Sequence, residues 1–404
     1  MEQLKASGVV VEYNPFHNGH YYHLQETKKA TGADCIIAVM SGNFLQRGEP
    51  ALLSKWKRTK MALLGGADIV IELPYSFATS HAPRFAFGSI FLLQSLGAES
   101  FCFGSESGDA ELFNQTHESV NAQQEAYQEL VRSFMNKGLS YPSAASRAYE
   151  SLDIPLALDL SKPNNILGFE YVRASRELGS HIRPFTIKRK NADYHDVMLG
   201  KGNIASATAI REAIFTREPD QAATYMPRYT LELLAEEQSE KGTLMNWERF
   251  YPLLRYQLLS TSPSEINRYY EVEEGLEYRM IEAMKRSDSF ETFMNHLKTK
   301  RYTWTRLQRA CLHVLNKVQK DEMFAILDSP PSYIRVLGMT SKGRDYLSTV
   351  KKSLDLPLVT TVSKHDFAGL RMEARTSLVY AQGAARNILR AEKEEFNTPP
   401  VMVR

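Results

Sequence analysis

Two histidines near the start of the chain, His17 and His20, flank Gly19 between a strand-like run and a helix-like segment. The apolar run covers residues 8–11, and residues 21–30 have the periodicity of a helix. A helix N-terminus has unpaired N–H groups and a partial positive charge, which favour phosphate binding. Glycine lets a ligand approach the backbone closely there, and imidazoles donate hydrogen bonds to phosphoryl oxygens. The motif predicts a nucleotide site for chemistry at a phosphate, against the alternative of two surface histidines at a turn.

A second element, residues 204–211, has the pattern Ser-x-Thr-x-x-Arg at a predicted helix start. Ser206 is a good helix N-cap, and that structural role is its alternative interpretation. Hydroxyl groups of Ser206 and Thr208, helix N–H groups and the Arg211 guanidinium would together hold the β- and γ-phosphates of a nucleoside triphosphate. The two elements in one predicted domain are more specific than either alone.

The elements that must position these residues alternate between apolar runs and helical patterns through the first half of the chain. The predicted strands are residues 7–13, 34–40, 68–73, 100–103 and 183–187, and the predicted helices between them include residues 54–64 and 86–96. This alternation predicts a parallel sheet covered by helices on both faces, in a Rossmann-like α/β domain. Ligands of such sheets bind beyond the carboxyl ends of the strands, where small, polar or basic residues follow each predicted strand here.

The strand pattern fades after about residue 216, and the rest of the chain has mostly helical patterns. Predicted amphipathic helices cover residues 248–259, 276–284 and 305–318, while residues 338–344 are rich in turn formers and 357–362 are β-like. We predict a boundary near Glu218-Pro219-Asp220. It divides the chain into a nucleotide-binding catalytic domain, residues 1–217, and a mostly α-helical C-terminal domain, residues 218–404.

Composition and charge are typical of a globular protein, with a formal net charge of only +2. No apolar run is long enough to span a membrane, and the N-terminus lacks the pattern of a signal peptide. Cys35, Cys102 and Cys311 lie in apolar runs without metal or disulfide spacing, so we expect buried thiols in a reducing compartment. The prediction is a cytoplasmic protein without a membrane partner.

The His17-Asn18-Gly19-His20 motif and the late Ser-x-Thr-x-x-Arg element together resemble the nucleotidylyltransferase superfamily, whose histidine motif is of the HIGH type. The resemblance implies a HUP-type fold and attack on the α-phosphate of a nucleoside triphosphate with release of pyrophosphate. In that chemistry His17 and His20 would stabilise charge on the α-phosphate in the transition state, and Arg211 would hold the pyrophosphate.

A closer resemblance comes from residues 10–20 (VVEYNPFHNGH), 40–50 (MSGNFLQRGEP) and 71–74 (IELP). These segments are similar to the bacterial tRNA(Met) cytidine acetate ligase family, and residues 103–106, 162–168 and 187–189 also fit. The similarity extends more loosely into the C-terminal half. It implies that acetate and ATP form acetyl-AMP, and that the acetyl group passes to N4 of the wobble cytidine of elongator tRNA(Met). Acetate is ionised at neutral pH and needs no base to activate it.

The resemblance assigns catalysis to His17 and His20. With the late element, it places ATP contacts at Val10, Val11, Glu12, Tyr13, Asn14, Pro15, Phe16, His17, Asn18, Gly19, His20, Tyr21, Tyr22, His23, Gly104, Asn164, Arg189, Ser206, Thr208 and Arg211. Gly104 could instead permit a tight turn, Asn164 could cap a helix, and Arg189 could belong to a solvated basic surface. Mg²⁺ is expected on the triphosphate without a dedicated protein cage. No metal-ligating residues and no obligatory protein partner are predicted.

The expected loop at residues 41–50 could close over the site and bring Gln46 and Arg47 to acetate or RNA. Phe44 and Tyr75 are candidates for the acetate pocket. On the next helix, Lys55, Lys57, Arg58 and Lys60 are expected on a solvated face.

Basic residues outnumber acidic ones after about residue 298, which suggests contacts with tRNA phosphates. The candidates are Arg301, Arg306, Arg309, Lys342 and Arg344. Tyr302 and Trp304 could stack on unpaired bases, or pack in a helical core.

Two other functions remain open from the sequence. The first is an adenylyltransferase acting on a phosphorylated coenzyme precursor, which would share both motifs but would not require a large helical half. The second is an RNA-binding protein with a vestigial nucleotide site, against which the intact His17, His20 and Arg211 argue.

Overall fold

A β-sheet with strands from both halves of the chain forms the centre of the computed structural model, which describes residues 4–139, 141–152, 158–189, 203–216, 219–241, 244–384 and 388–403. Its strands are β1 (Ala6–Val11), β2 (Cys35–Ser41), β3 (Ile69–Leu73), β4 (Ser100–Ser105), β5 (Arg183–Lys188), β6 (Ile334–Thr340), β7 (Leu358–Val359) and β8 (Val401–Val403). The strand order is β5-β4-β1-β2-β3-β6-β7, with β8 paired to β6. Strands β1 to β5 are parallel, whereas β6 runs antiparallel to β3.

Helices cover the sheet and build most of the second half of the chain. Those of the first half are α1 (Asn18–Thr31), α2 (Lys55–Leu64), α3 (Tyr75–Ala78), α4 (Ala82–Ser95), α5 (Ala110–Ala122), α6 (Gln124–Asn136), α7 (Tyr141–Glu150), α8 (Pro163–Glu177) and α9 (Ala207–Phe215). The second half contains α10 (Pro219–Ala223), α11 (Arg228–Lys241), α12 (Trp247–Ser260), α13 (Pro263–Ile266), α14 (Leu276–Lys285), α15 (Phe290–Leu297), α16 (Trp304–Leu315), α17 (Lys320–Leu327), α18 (Ser341–Val350), α19 (Ala368–Gly383) and α20 (Ile388–Asn397), with a 3-10 helix at Val362–Lys364. No helix within the described ranges is long and apolar enough to cross a membrane.

The five N-terminal strands confirm the predicted α/β architecture. Every residue of β2 and β3 is buried, because these central strands have helices or neighbouring chain on both faces. Such strands are continuous apolar runs, which is why they were recognisable without alternation of polar residues. Helix α2 ends at Leu64, directly before Gly65, as the sequence predicted, whereas α4 covers Ala82–Ser95 instead of the predicted residues 86–96.

The sheet does not end at the predicted boundary between the two halves. The prediction of a turn-rich segment at residues 338–344 is wrong, because β6 extends to Thr340 and α18 begins at Ser341. Gly338 is a site of close packing in β6, since a Cβ there would lie 2.6 Å from Thr59 Cγ2. Of the predicted connector, Glu218 lies outside the described residues.

A buried cluster of charged side chains joins the two halves. Lys55 Nζ lies 2.7 Å from Glu72 Oε1, 2.9 Å from Glu395 Oε1 and 3.5 Å from Glu373 Oε1. Arg335 also forms an ion pair with Glu72, at 2.8 Å. All five side chains are almost completely inaccessible, so the expectation that Lys55 lies on a solvated helix face was wrong. Arg58 is buried too, where its guanidinium donates to the carbonyls of Glu12 and Ser41.

Candidate active site

The His17–His20 motif forms the first turn of helix α1 at the carboxyl edge of the sheet. His17 is the N-cap, and its Nδ1 accepts the backbone N–H of Gly19 at 3.0 Å. His20 is the third helical residue, and its Nδ1 accepts the backbone N–H of His17 at 3.3 Å. This is a capping box in which imidazoles replace the usual hydroxyl and carboxylate. A neutral imidazole that accepts through Nδ1 carries its proton on Nε2, so both rings retain one N–H donor.

Both histidines are uncharged at neutral pH. Burial lowers the pKa of His17 to about 3, with further contributions from the charges of Arg189 and Arg211. Burial also holds the pKa of His20 well below its usual range. His17, His23 and Arg189 lower this pKa further, and a hydrogen bond to the Pro15 backbone opposes them. The two rings stack with their centroids 3.7 Å apart, an arrangement that suits neutral imidazoles and would disfavour two imidazoliums.

The two rings line a cleft of about 440 Å³, within the size range of small-ligand sites. The N-termini of α1, α8 and α9 all reach this cleft, through Gly19, Pro163 and Ala207 respectively. The predicted nucleotide residues that line it are Val10, Val11, Glu12, Tyr13, Asn14, His17, Gly19, His20, Tyr22, His23, Gly104, Asn164, Arg189, Ser206, Thr208 and Arg211. Three helix N-termini around one cleft, with arginines beside them, make a site for a polyanion.

The late element lies in the same cleft as the histidines. Ser206 is the N-cap of α9 and accepts the N–H of Ala209 at 3.1 Å, as its structural interpretation predicted. Arg211 donates to the Asn14 carbonyl at 2.9 Å and to Glu49 Oε2 at 3.0 Å. These two bonds use two of the five N–H donors of the guanidinium, which leaves others for a phosphate.

Gly104, Asn164 and Arg189 all line the cleft, although each has an alternative structural interpretation. Gly104 lies in β4 without a positive φ, and a Cβ there would make only ordinary contacts, with Arg189 Cγ at 3.6 Å and the Ile187 carbonyl at 3.9 Å. No tight turn therefore requires this glycine. Asn164 is not a helix cap; its amide donates to Glu106 Oε1 at 2.6 Å while it lines the cleft. Arg189 also lines the cleft, although its side chain is exposed.

Four residues of the predicted ATP-binding run do not line the cleft. Pro15 and Phe16 are buried behind it, and Phe16 packs in the core against Tyr13. Asn18 binds the carbonyls of Asn203 and Thr224, and Tyr21 is 46% exposed on the outer side of α1. The helical turn explains this outcome, because neighbouring residues at a helix start cannot all face the same ligand.

The cleft is also lined by residues outside the predicted histidine and late elements. Glu12, whose Oε1 accepts the backbone N–H of Gln46, shares the lining with Gln46, Arg47, Glu49, Ala82, Phe85, Phe103 and Tyr171. Gln46 and Arg47 come from the loop that was expected over the site, and both line the cleft. Phe85, Phe103 and Tyr171 were not among the predicted site residues; they belong to the buried core and also border the cleft. No local signal separates a core aromatic residue from one at a cleft wall. Phe44 and Tyr75, the candidates for the acetate pocket, are instead buried in the core.

The predicted RNA-binding arginines are paired with glutamates. Arg301 binds Glu274, Arg306 binds Glu273 and Arg309 binds Glu271, at 2.6 Å, 3.1 Å and 2.9 Å. These pairs neutralise the charge that was expected to meet tRNA phosphates. Tyr302 is buried and donates to Glu274, while Trp304 stays 36% exposed.

Lys342 and Arg344 lie at the opposite edge of the sheet from the cleft. They begin α18, directly after β6, and β6 ends beside Ile69 at the start of β3. The cleft lies at the carboxyl ends of the parallel strands, so these two side chains do not border it.

Comparisons with known proteins agree with this geometry. A family model described as HIGH Nucleotidyl Transferase matches residues 4–395. The tRNA(Met) cytidine acetate ligase of Geobacillus sp. (strain WCH70) is 47% identical over 407 residues, covering 99% of this chain and 100% of the relative. The protein of the same name from Bacillus subtilis (strain 168) is 46% identical over 382 residues, covering 94% and 92%. The crystal structure of Thermotoga maritima TmcAL bound with alpha-thio ATP has a TM-score of 0.90 and 33% identity, covering 99% and 100%.

Proposed function

The chain belongs to the tRNA(Met) cytidine acetate ligase family of HIGH nucleotidyl transferases, and we propose that its cleft makes acetyl-AMP from acetate and ATP. It is an ATP-dependent ligase of the α/β nucleotidyl transferase fold. The observation that carries the proposal is the convergence of His17, His20 and Arg211 with three helix N-termini on one cleft. Each of these groups donates hydrogen bonds or carries positive potential, as a triphosphate requires.

In the first step an acetate oxygen attacks the α-phosphorus, and the bond from that phosphorus to the bridging oxygen of pyrophosphate breaks. Negative charge builds up on the α-phosphate oxygens in this transition state. The Nε2–H groups of His17 and His20 are held in place by the capping box, so they stabilise that charge without reorganisation. Neutral rings serve this role as hydrogen-bond donors, and neither needs to transfer a proton.

Arg211 and the N-terminus of α9 would hold the leaving pyrophosphate. Arg211 is fixed by Asn14 and Glu49 on either side, so its remaining donors are already oriented. Ser206 caps α9 by accepting the Ala209 N–H with its hydroxyl oxygen, and Thr208 and the remaining N–H groups of the first turn would donate to the phosphates. Preorganised donors of this kind lower the barrier most when charge develops during the reaction.

In the second step the acetyl group passes to N4 of the wobble cytidine of elongator tRNA(Met), with AMP as the leaving group. The Phe85, Phe103 and Tyr171 walls of the cleft suit a flat base, because aromatic rings stack on unpaired bases. We also propose that residues 218–404 help to bind the tRNA. Since Arg301, Arg306 and Arg309 are paired with glutamates, shape and unpaired bases would contribute more than bare charge.

Mg²⁺ would reach this site on the triphosphate. Among the described residues no group of three or more His, Cys, Asp or Glu side chains is arranged to hold a metal ion. Magnesium is commonly bound by one or two protein carboxylates and substrate phosphates, so the donor set here fits an ion carried by ATP. Such an ion would neutralise phosphate charge, and the steps above use only groups of the protein.

The test of this function is an incubation of the purified protein with ATP and labelled acetate, with and without tRNA. We expect acetate-dependent exchange of pyrophosphate into ATP in both mixtures, and label in tRNA cytidine only when tRNA is present. Pyrophosphate release that needs a phosphorylated coenzyme precursor instead of acetate would identify an adenylyltransferase. Absence of ATP turnover in every mixture would favour the remaining alternative, an RNA-binding protein with a vestigial nucleotide site.

A further inference from the structure

The second half-reaction needs a group that the first does not. When N4 of cytidine attacks the acetyl carbonyl of acetyl-AMP, a C–N bond forms and the C–O bond to the AMP phosphate breaks. AMP leaves with the electron pair, and the attacking amine must lose one proton. An exocyclic amine of cytosine is weakly nucleophilic, so a base that removes this proton would accelerate the step.

The histidines of the cleft are poorly suited to be that base. Nδ1 of His17 and Nδ1 of His20 each accept a backbone N–H, and Nε2 already carries the proton. Burial also lowers the pKa of His17 to about 3 and of His23 to about 4, which makes them weak proton acceptors.

Two carboxylates stand among the described residues that line the cleft, Glu12 and Glu49. Glu49 Oε2 forms an ion pair with the Arg211 guanidinium at 3.0 Å, and this pair holds the Glu49 carboxylate on the phosphate side of the cleft. Glu12 follows β1 directly, and its Oε1 accepts the backbone N–H of Gln46 at 2.8 Å. That bond fixes the carboxylate by one oxygen, and no hydrogen bond from a described residue reaches the other.

We propose that Glu12 is the general base that takes the proton from cytidine N4 during acetyl transfer, rather than a contact to ATP. The assignment rests on the proposed function. The proton moves from N4 to the free carboxylate oxygen of Glu12 as the C–N bond forms, and Glu12 later returns it to solvent or to the AMP phosphate.

The surroundings of Glu12 support this role. Burial raises the pKa of the Tyr171 phenol, and the Glu12 carboxylate lies close enough to raise it further. The ring centroid of Phe103 is 6.0 Å from that of Tyr171. Both rings line the cleft, so a cytosine ring stacked on them would bring its exocyclic amine toward Glu12. Burial raises the pKa of Glu12, which strengthens its carboxylate as a base, while the Gln46 N–H and the charges of Arg47 and Arg58 limit the shift. Of the other charged groups nearby, Glu49 acts in the same direction as burial.

The test measures the two half-reactions separately in Glu12→Gln. Glutamine keeps the oxygen that accepts the Gln46 N–H but cannot take a proton. Acetate-dependent exchange of pyrophosphate into ATP reports the first step and also shows that the variant is folded. Single-turnover transfer from acetyl-AMP to unmodified elongator tRNA(Met) reports the second. We expect transfer to slow by about 100- to 10,000-fold, the usual contribution of a general base, with a much smaller effect on exchange.

Two further variants serve as matched controls. Glu49→Gln should slow exchange more than transfer, because it loosens Arg211 on the phosphate side. Glu26→Gln alters an exposed pair with Lys29 on α1 and should leave both steps at the wild-type rate.

Transfer at the wild-type rate in Glu12→Gln would overturn the assignment. An equal loss of exchange and transfer would also overturn it, because that result would indicate a role for Glu12 in ATP binding. A wild-type protein without acetate-dependent exchange would instead reject the proposed function, so the two failures are distinguishable.

Discussion

His17 and His20 stack as a neutral pair, with centroids 3.7 Å apart and an interplanar angle of 27°. Each ring is fixed by a backbone N–H of the turn that the other helps to form. The motif is therefore one unit, a helix cap that also supplies the donors for phosphate chemistry.

His20→Ala removes one Nε2–H donor and half of the capping box. The loss of one preorganised donor typically costs about 100- to 1,000-fold in rate, so we expect acetate-dependent pyrophosphate exchange to fall by at least that much. His117→Ala, on α5 and outside the cleft, is the control and should exchange at the wild-type rate. Substantial exchange in His20→Ala would contradict the role of the histidine pair.

Gly19→Ala tests whether the ring of His17 must stay where it is. A Cβ at Gly19 would lie 2.8 Å from His17 Cε1 and 3.0 Å from its Nδ1, so the imidazole would have to move. We expect kcat for exchange to drop while the helix still forms, since alanine has a higher helix propensity than glycine.

The control for this variant must lie on the same helix but away from the site. Gly32→Ala would be a poor control because Gly32 has a positive φ. Ala30→Gly, at an exposed position near the end of the same helix, alters backbone freedom without touching the site. Wild-type kcat in Gly19→Ala would show that the ring position is unimportant.

Arg211→Lys separates charge from geometry at the phosphate site. Lysine keeps the positive charge but cannot bind Asn14 and Glu49 at once with the planar arrangement of a guanidinium. We expect the KM for ATP to rise by about tenfold or more, since each lost charge-assisted hydrogen bond is worth about 1.5–3 kcal/mol. Steady-state kinetics with varied ATP measures the change. Arg228→Lys, an exposed helix arginine, should leave the KM unchanged.

The buried histidines predict how stability depends on pH. Their folded pKa values, about 3 for His17 and about 4 for His23, lie below the usual 6.5 of an unfolded chain. Between these values the unfolded chain binds protons that the folded chain does not. The stabilisation is complete above about pH 6.5 and declines as the pH falls toward 4, by at most about 1.4 kcal/mol per pH unit for each histidine.

Urea unfolding at pH 7 and at pH 5 measures this decline. His17→Asn keeps an N-cap acceptor but removes one titrating ring, so its free energy of unfolding should fall less between the two values. Equal slopes for the variant and the wild type would exclude His17 as a source of the acid sensitivity.

Lys55→Met would leave Glu373 without its paired cation, and Glu72 and Glu395 with Arg335 alone. Removing one partner from a buried ionic cluster typically costs about 3–5 kcal/mol, so we expect a loss of this size in the free energy of unfolding. Lys57→Met, on the same helix, breaks only the partly exposed pair with Glu236 and should cost about 1 kcal/mol or less. Similar values for the two variants would show that the buried cluster is not a strong link between the halves.

Much of the catalytic framework could be predicted because it is local in the chain. Strand β1, the His17–His20 turn and helix α1 are contiguous, and their apolar run, glycine and helical periodicity are visible in one short segment. The N-cap role of Ser206 was predictable for the same reason. Strands β6 and β8 were missed, because they become strands only by pairing with each other and with β3.

The sequence by itself determined the α/β framework, the phosphate-binding turn and the family, since apolar periodicity, capping preferences and short motifs act over neighbouring residues. Only the tertiary structure decided which polar side chains meet. Arg211 binds Glu49 across 162 positions of the chain, and Lys55 binds Glu395 across 340. A charged residue is stable in the interior only beside its partner, and that partner is supplied by the fold. Lys55 was predicted in solvent because its partners lie far away in the chain. The turn that orients His17 and His20 is formed by their own sequence neighbours and was therefore predictable.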